Sequence, residues 1–337
     1  MKEVAATAGV SVGTVSNVLN APEKVTPATV ARVHTAIEKL GFVRNDAARQ
    51  LRAGRSRCVG LVVLDIGNPF FSDIARAAEQ RAADNNLVVL LGSTDDDADR
   101  ERAYLETFDE QRVFGLMISP SGEDLDRLQA LRSRGVPIVL VDRDGTGSPF
   151  SSVAVDDIAG GRMAVEHLCS TGRRRIAFVG GPLSLRQVAD RLAGARAAVE
   201  DHPGATLTLI DTAAPTVLAG REAGQQLAAG AADLPEAVFC ANDLLAIGLL
   251  QALTSRGVRV PDEVALIGYD DIDFAESATV PLSSIRQPTT LIGSSAMDLL
   301  IAEADGRAAP EHICFQPTLV PRASTESEGR RPSGPVE

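Results

Sequence analysis

From Cys58 onward, short apolar runs alternate with amphipathic stretches. The runs are VGLVVLD (59–65), LVVLLG (87–92), VFGLMIS (113–119) and PIVLVD (137–142), then RIAFVGG (175–181), TLTLID (206–211), AVFCAND (237–243) and EVALIGYDD (263–271). Runs of this length with apolar residues on both faces predict buried strands of parallel sheets. The helical-period stretches between them, such as Ser72–Asn85 and Ala159–Ser170, predict covering helices. The pattern is traversed twice with a break near 155–158, so the expected body is α/β with two lobes. LSSIRQ (282–287) reads as a late crossover back to the first lobe, and LVPR (319–322) as a further return. Residues 323–337 are rich in Ser, Glu, Gly and Pro and read as a disordered tail.

Before Cys58 the pattern is purely helical. Residues 3–8 place Val4, Ala5 and Ala8 on one side, and Gly9 permits a tight turn that Val10 plugs. Ser11 is an N-cap for a helix over 12–20, with Val15, Val18 and Leu19 inward and Val12, Gly13, Ser16 and Asn17 outward. Thr26 caps a third helix over 27–40, with Pro27 at its first position and Gly41 just past its end. Three short helices in this order predict a helix-turn-helix head. An outward face of small and amide side chains suits the major groove of DNA, where Asn pairs with base edges and small residues approach thymine methyls.

Charge sharpens this division. The whole chain carries −12, which alone argues against nucleic acid. Residues 1–57, however, hold nine Lys/Arg against four Asp/Glu, a net +5, while the rest holds 24 against 41, a net −17. A basic head on an acidic body directs phosphate contact to the head. No stretch approaches the ~18 apolar residues of a membrane span. The start of the chain has no apolar signal-peptide run, so a cytoplasmic protein is expected. Cys58, Cys169, Cys240 and Cys314 lack CxxC spacing and read as reduced thiols. The four histidines are equally scattered, so no metal site and no cofactor are expected.

VAATAGVSVGTVSNVLN, followed by VTPATVARVHTAIEKLGFVRNDAARQLRAGRS, resembles the lactose/galactose repressor family. The resemblance covers about 1–322 and implies a periplasmic-binding-protein-like (type 1) body of parallel sheets. The implied domains are a head over 1–45, a hinge over 46–57, a first lobe over 58–156 with a return at about 285–316, and a second lobe over 157–284 with about 317–322. It implies a recognition helix over Val12–Asn20, with Ser11, Val12, Gly13, Thr14, Ser16, Asn17 and Asn20 at the DNA. It implies a hinge helix over Ala47–Ala53, with Arg49 and Arg52 beside Leu51 at the position of the wedge that unstacks base pairs in the minor groove. A segment this short, flanked by Gly54 and Ser56, orders only when phosphates and a partner copy arrive. The implied partners are operator DNA, a second copy of the chain and a small effector, with no membrane. In this family a few residues with a capping Ser or Thr usually precede the first helix. Here Met1 abuts it, which leaves either a native start upstream of Met1 or a frayed first helix with weaker DNA binding.

Ligands of such sheets sit beyond the carboxyl ends of the strands. Asn68, Phe70 and Phe71 follow the first strand, Asp142 and Arg143 the fourth, and Arg191, Asn242, Asp270 and Gln287 come from the second half. Aromatic rings cover the C–H faces of a sugar, while Asp, Asn and Arg pair with its hydroxyls. By resemblance, these nine match the positions that hold sugar in ribose repressors and ribose-binding proteins, the Asp142–Arg143 pair being the most discriminating. Asp95 is a weaker candidate. The same subgroup places a further aromatic near 211–216, where this chain reads DTAAPT, and that departure leaves ribose itself in doubt. Each residue also has a structural reading: Phe70 or Phe71 as core, Asn242 as a helix cap, Asp270 as a turn brace, Arg143 as a surface charge. An enzyme is opposed by the first turn, DIGNPFF, which has no GxGxxG, and by the lack of a Walker loop or a GxSxG elbow. A transport receptor is opposed by the basic head. The open alternative is the same repressor with a purine or other non-sugar effector.

Overall fold

The computed structural model describes residues 1–42, 56–122, 124–230, 234–306 and 309–326. They fall into two compact units, divided after Ser56.

The first unit holds helices α1 (Lys2–Ala8), α2 (Val12–Asn20) and α3 (Pro27–Leu40), with a single 3-10 turn at Pro22–Lys24. Gly9 has φ 65°, the left-handed conformation that lets α2 turn away within three residues. Val4, Ala5, Ala8, Val15, Val18, Val33 and Ala36 form the core. The Ser11 hydroxyl accepts from the Thr14 N–H, as a cap should. Thr26 departs from expectation. It holds the N-cap position, but its hydroxyl donates to Thr29 Oγ1 instead of accepting a backbone N–H.

The second unit contains two six-stranded sheets. One runs β11-β5-β4-β3-β1-β2 and the other β12-β10-β9-β8-β6-β7. The strands are β1 (Cys58–Val63), β2 (Val88–Ser93), β3 (Gly115–Ile118), β4 (Ile138–Val141), β5 (Ser151–Val155), β6 (Arg175–Val179), β7 (Thr206–Ile210), β8 (Ala237–Cys240), β9 (Ala265–Asp270), β10 (Ser283–Arg286), β11 (His312–Phe315) and β12 (Thr318–Val320). All neighbours pair parallel except β10 and β12, which are antiparallel. Helices cover both sheets: α4 (Pro69–Asp84), α5 (Ala98–Glu110) and α6 (Asp126–Ser133) on the first; α7 (Asp157–Ser170), α8 (Arg186–Glu200), α9 (Val217–Ala229), α10 (Asp243–Ser255) and the short α11 (Asp273–Glu276) on the second. The late helix α12 (Thr289–Ala304) packs on α4.

The chain therefore passes between the lobes three times, at 155–157, 286–289 and 315–318. Ser283–Arg286 is a strand of the second sheet, so the return to the first lobe begins after it, not at 285. The expected tail also begins too early. Ser324 and Thr325 are fully buried: the Ser324 hydroxyl donates to the Leu266 carbonyl, and Thr325 Oγ1 lies 2.8 Å from His167 Nε2 and 2.7 Å from Ser283 Oγ. Ser and Thr here satisfy buried backbone instead of facing water. Among the described residues, no helix is long and apolar enough to cross a membrane.

Helices of the second lobe approach unusually closely. A Cβ added at Gly194 of α8 would lie 1.9 Å from the Ile158 carbonyl of α7, and one at Gly248 of α10 would lie 2.0 Å from the Val217 carbonyl of α9. Backbone atoms cannot yield as a flexible side chain does. Gly194→Ala should therefore cost about 2–3 kcal/mol of stability, read as a lower urea midpoint. An unchanged midpoint would show that α7 and α8 can part at no cost.

Candidate functional site

In the head, α2 presents Val12, Gly13 and Asn17 to solvent, and Val12 is 44% exposed. Ser11 and Thr14 are joined through their hydroxyls at 2.9 Å. Asn20 folds back, its amide donating to the Ser16 carbonyl at 2.8 Å and to Ser16 Oγ at 3.2 Å. The outward face thus offers one amide, Asn17, beside a small apolar patch, while Ser11, Thr14, Ser16 and Asn20 brace the helix. Arg49, Leu51 and Arg52, with the hinge helix expected around them, lie outside the described residues.

In the body, the carboxyl ends of strands from both sheets surround a cavity of about 500 Å³. That volume falls in the range of small-molecule sites. From the first lobe, Asn68 caps α4, its Oδ1 accepting from the Phe70 N–H at 3.1 Å. This start aims Phe70 and Phe71 at the cavity, edge to face with centroids 5.0 Å apart. Asp142 follows β4 with φ 57° and Asp270 ends β9 with φ 101°. Both carboxylates are presented by backbone that L-residues rarely adopt and that Asp tolerates better than most, a strain typical of binding sites.

Arg191 organises the second lobe's wall. It is 4% exposed; its Nε donates to Asp157 Oδ1 at 2.7 Å and its Nη1 to the Ala241 carbonyl at 2.8 Å. Its guanidinium lies 3.8 Å over the Tyr269 ring and 3.8 Å from Asp270 Oδ1. Asn242 caps α10 through Leu245 N–H, and its amide donates to the Pro215 carbonyl. It lines the cavity while performing the structural task that its position allowed.

Two hydrogen bonds cross between the lobes at the cavity. Asn68 Nδ2 donates to Asp270 Oδ2 at 3.1 Å, and Gln187 Nε2 donates to Asp142 Oδ2 at 2.9 Å. Asp142 Oδ1 is buried with no partner among the described residues. Burial, and secondarily the negative charge of Asp157, push the Asp142 carboxyl up to about 8, with Arg191 opposing. Burial also raises Asp270, against the pull of Arg191 and the amides of Asn68 and Gln287.

Of the nine expected effector residues, seven line the cavity: Asn68, Phe70, Phe71, Asp142, Arg191, Asn242 and Asp270. Arg143 does not. Its Nη1 donates to the Gly122 carbonyl, and the side chain flanks a separate small crevice with Ser119–Gly122. Gln287 stands behind Asp270, donating to Oδ1 at 2.8 Å. Sequence reasoning missed Gln187, although it lies four residues before Arg191 and so on the same helix face. It also missed Asp65 and Asp96, at the ends of the adjacent strands β1 and β2. The wall at Ala213, Ala214 and Pro215 confirms that no ring stands in the 211–216 stretch. Among the described residues, no cluster could hold a metal ion.

Residues 1–45 match the family of bacterial regulatory proteins, lacI family, and residues 165–325 match the periplasmic binding protein-like domain. The ribose operon repressor of Escherichia coli (strain K12) is 34% identical over 329 residues, spanning 95% of this chain and 94% of its own length. The HTH-type transcriptional repressor PurR of Photobacterium profundum is 32% identical, spanning 97% and 98%. Among solved structures, the Lac repressor dimer bound to operator and the anti-inducer ONPF superposes with TM-score 0.84 at 28% identity, covering 96% of this chain and 98% of its own. The transcriptional regulator CelR in complex with cellobiose gives 0.70 at 33% identity, with the same coverage. These relatives are regulators of transcription, not enzymes. With its head, its body and nearly its full length matched, the protein belongs to the lacI family of bacterial regulatory proteins.

Proposed function

We propose that the chain is a cytoplasmic, homodimeric repressor that binds operator DNA through α2 and releases it when a polyhydroxyl effector, a pentose or hexose, occupies the body's cavity. The observation that carries this reading is the pair of buried carboxylates, Asp142 and Asp270. They come from opposite lobes, and each already accepts an amide from the other lobe. A hydroxyl-rich molecule between them donates to both and covers its C–H face with Phe70 and Phe71. The ribose and cellobiose named for similar proteins agree with such a cavity. The PurR relative supports a second reading, a purine corepressor. A purine's ring nitrogens require donors, and one N–H of each of the amides of Asn68, Gln187 and Asn242 is already given to Asp270, Asp142 or the Pro215 carbonyl. The head pairs with a second head on a pseudo-palindromic operator, as two half-sites demand. A ligand that favours one arrangement of the lobes shifts operator affinity by the difference in its affinity for the two arrangements. Screening neutral sugars by thermal shift and by release of operator tests the assignment directly. If no pentose or hexose alters either at millimolar concentration, the sugar assignment fails.

At the DNA, Asn17→Ala should weaken specific operator binding by about 1–3 kcal/mol while leaving affinity for random duplex unchanged. Equal loss on both would move base reading elsewhere. In the cavity, Asp270→Asn keeps a side chain that tolerates the positive φ but removes the charge. Operator affinity without effector should stay normal, and the effector concentration that releases DNA should rise by about tenfold or more, matching ~1–3 kcal/mol of lost hydrogen bonding. Release at the wild-type concentration would mean that the pocket is misplaced.

Asp142 adds a pH signature. Without effector its carboxyl sits at about 8 and is mostly protonated at pH 6–7. Hydroxyls donating to it favour the charged form, so binding expels a proton. Affinity should climb as pH rises from about 6 to about 8, by at most tenfold per unit, and level off above. Asp142→Asn should flatten the profile. The raised value also means that the wild type loses stability relative to this variant as pH rises from about 4 to about 8. A sloped profile in the variant would assign the proton to another group.

A further inference from the structure

The cavity wall carries more carboxyl groups than cations, although Asp142, at about 8, adds little charge near pH 7. Asp65, Asp95, Asp96, Asp142 and Asp270 line it against one guanidinium, Arg191. That guanidinium is matched by Asp157, and Asp95 is matched by Arg100. Asp65, Asp96 and Asp142 have no cation within ion-pair distance among the described residues. Asp142, itself 5% exposed, keeps Oδ1 without a partner. The neighbouring amides of Asn68, Gln187 and Asn242 each give one N–H to an acceptor of the protein. The loop after β7 contributes Ala213, Ala214 and Pro215, which bring no cation. The wall therefore carries carboxyl groups in excess of cations.

We propose that the effector is a polyhydroxyl molecule carrying no phosphate or carboxylate, and that Asp65 and Asp96 are specificity-determining residues that exclude its anionic counterparts. This deepens, and rests on, the sugar reading of the cavity. Asp65 and Asp96 lie at the ends of adjacent strands, where the Asp95 N–H donates to the Leu64 carbonyl at 2.7 Å. Neither has a cation within ion-pair distance among the described residues, so each adds to the negative potential of the cleft. A phosphate brings about two negative charges and three acceptor oxygens, and meets carboxylates where it needs donors. A free hydroxyl meets the acceptors it needs.

The charge of the wall can be read without knowing the effector. In the full chain, Ala213→Cys places a thiol on the wall, with Ala214→Cys as a second reporter. Its rates of modification by cationic and by anionic methanethiosulfonates are compared with those of a free thiol, after subtracting the rate of the parent chain with its native Cys58 and Cys314. The cationic-to-anionic ratio should exceed that of the free thiol by about tenfold or more, and Asp65→Asn with Asp96→Asn should lower it several-fold. A ratio within about twofold of the free thiol at both reporters overturns the proposal. In parallel, D-ribose is compared with D-ribose 5-phosphate, and D-glucose with D-glucose 6-phosphate, by thermal shift. A phosphate that binds as tightly as its parent sugar also overturns it. If the thiol ratio holds while neither neutral sugar binds, the charge selection stands and the sugar reading falls.

Discussion

Arg191 is a permanent cation kept almost wholly out of water, and the second lobe's face of the cavity is arranged around it. Its guanidinium meets Asp157 from α7, the Ala241 carbonyl at the end of β8, the Tyr269 ring of β9 and, at longer range, Asp270. Burying such a charge is costly, and removing its partner alone typically costs ~3–5 kcal/mol. The fold tolerates the cost because one side chain fixes four elements at once. The close α7–α8 approach at Gly194 belongs to the same arrangement, since it sets the distance from Asp157 to Arg191. Without this anchor Asp270 would face the cavity with no cation near it, and burial would raise its carboxyl further.

The two lobes meet at the cavity through reciprocal contacts. An amide of the first lobe serves a carboxylate of the second, and an amide of the second serves a carboxylate of the first. Each bond is modest, roughly 1 kcal/mol net, and more where one partner is charged. A ligand that inserts its own donors therefore competes with contacts of comparable strength instead of breaking a rigid wall.

Much of this was legible in the residues. The central strands were found because burial on both faces leaves little room for polar residues; the edge strands β2 and β7 carry similar runs but are only partly buried, with Val88, Leu90 and Leu91 exposed. β5 was not, because its first two positions are serines. Both are buried, with hydroxyls on Glu303 and His312 Nδ1, so polarity there marks a satisfied core and not a loop. The same misreading placed Ser324 and Thr325 in a tail. The strand-end rule located Asn68, Asp142 and Asp270, since it depends only on topology. It could not separate Asp142 from Arg143, because adjacent residues at a sharp turn point different ways, and only the fold shows Arg143 reaching the Gly122 carbonyl. Gln187 escaped because its role exists only across the lobes, between residues 45 positions apart.

The three passages between the lobes have a consequence for how such a protein can change. Neither lobe is a continuous stretch of chain: the first is completed by α12 and β11, the second by β12 and the buried residues just after it. A genetic exchange with one breakpoint near 156 would pair five of the six strands of one ancestor's first lobe with the closing helix and strand of another's. Every helix–helix and strand–strand contact across that seam would have to be compatible by chance. The head ends before the body begins, so it can be traded whole. Heads can thus be reassigned to new operators by recombination, while the effector cavity diversifies one substitution at a time.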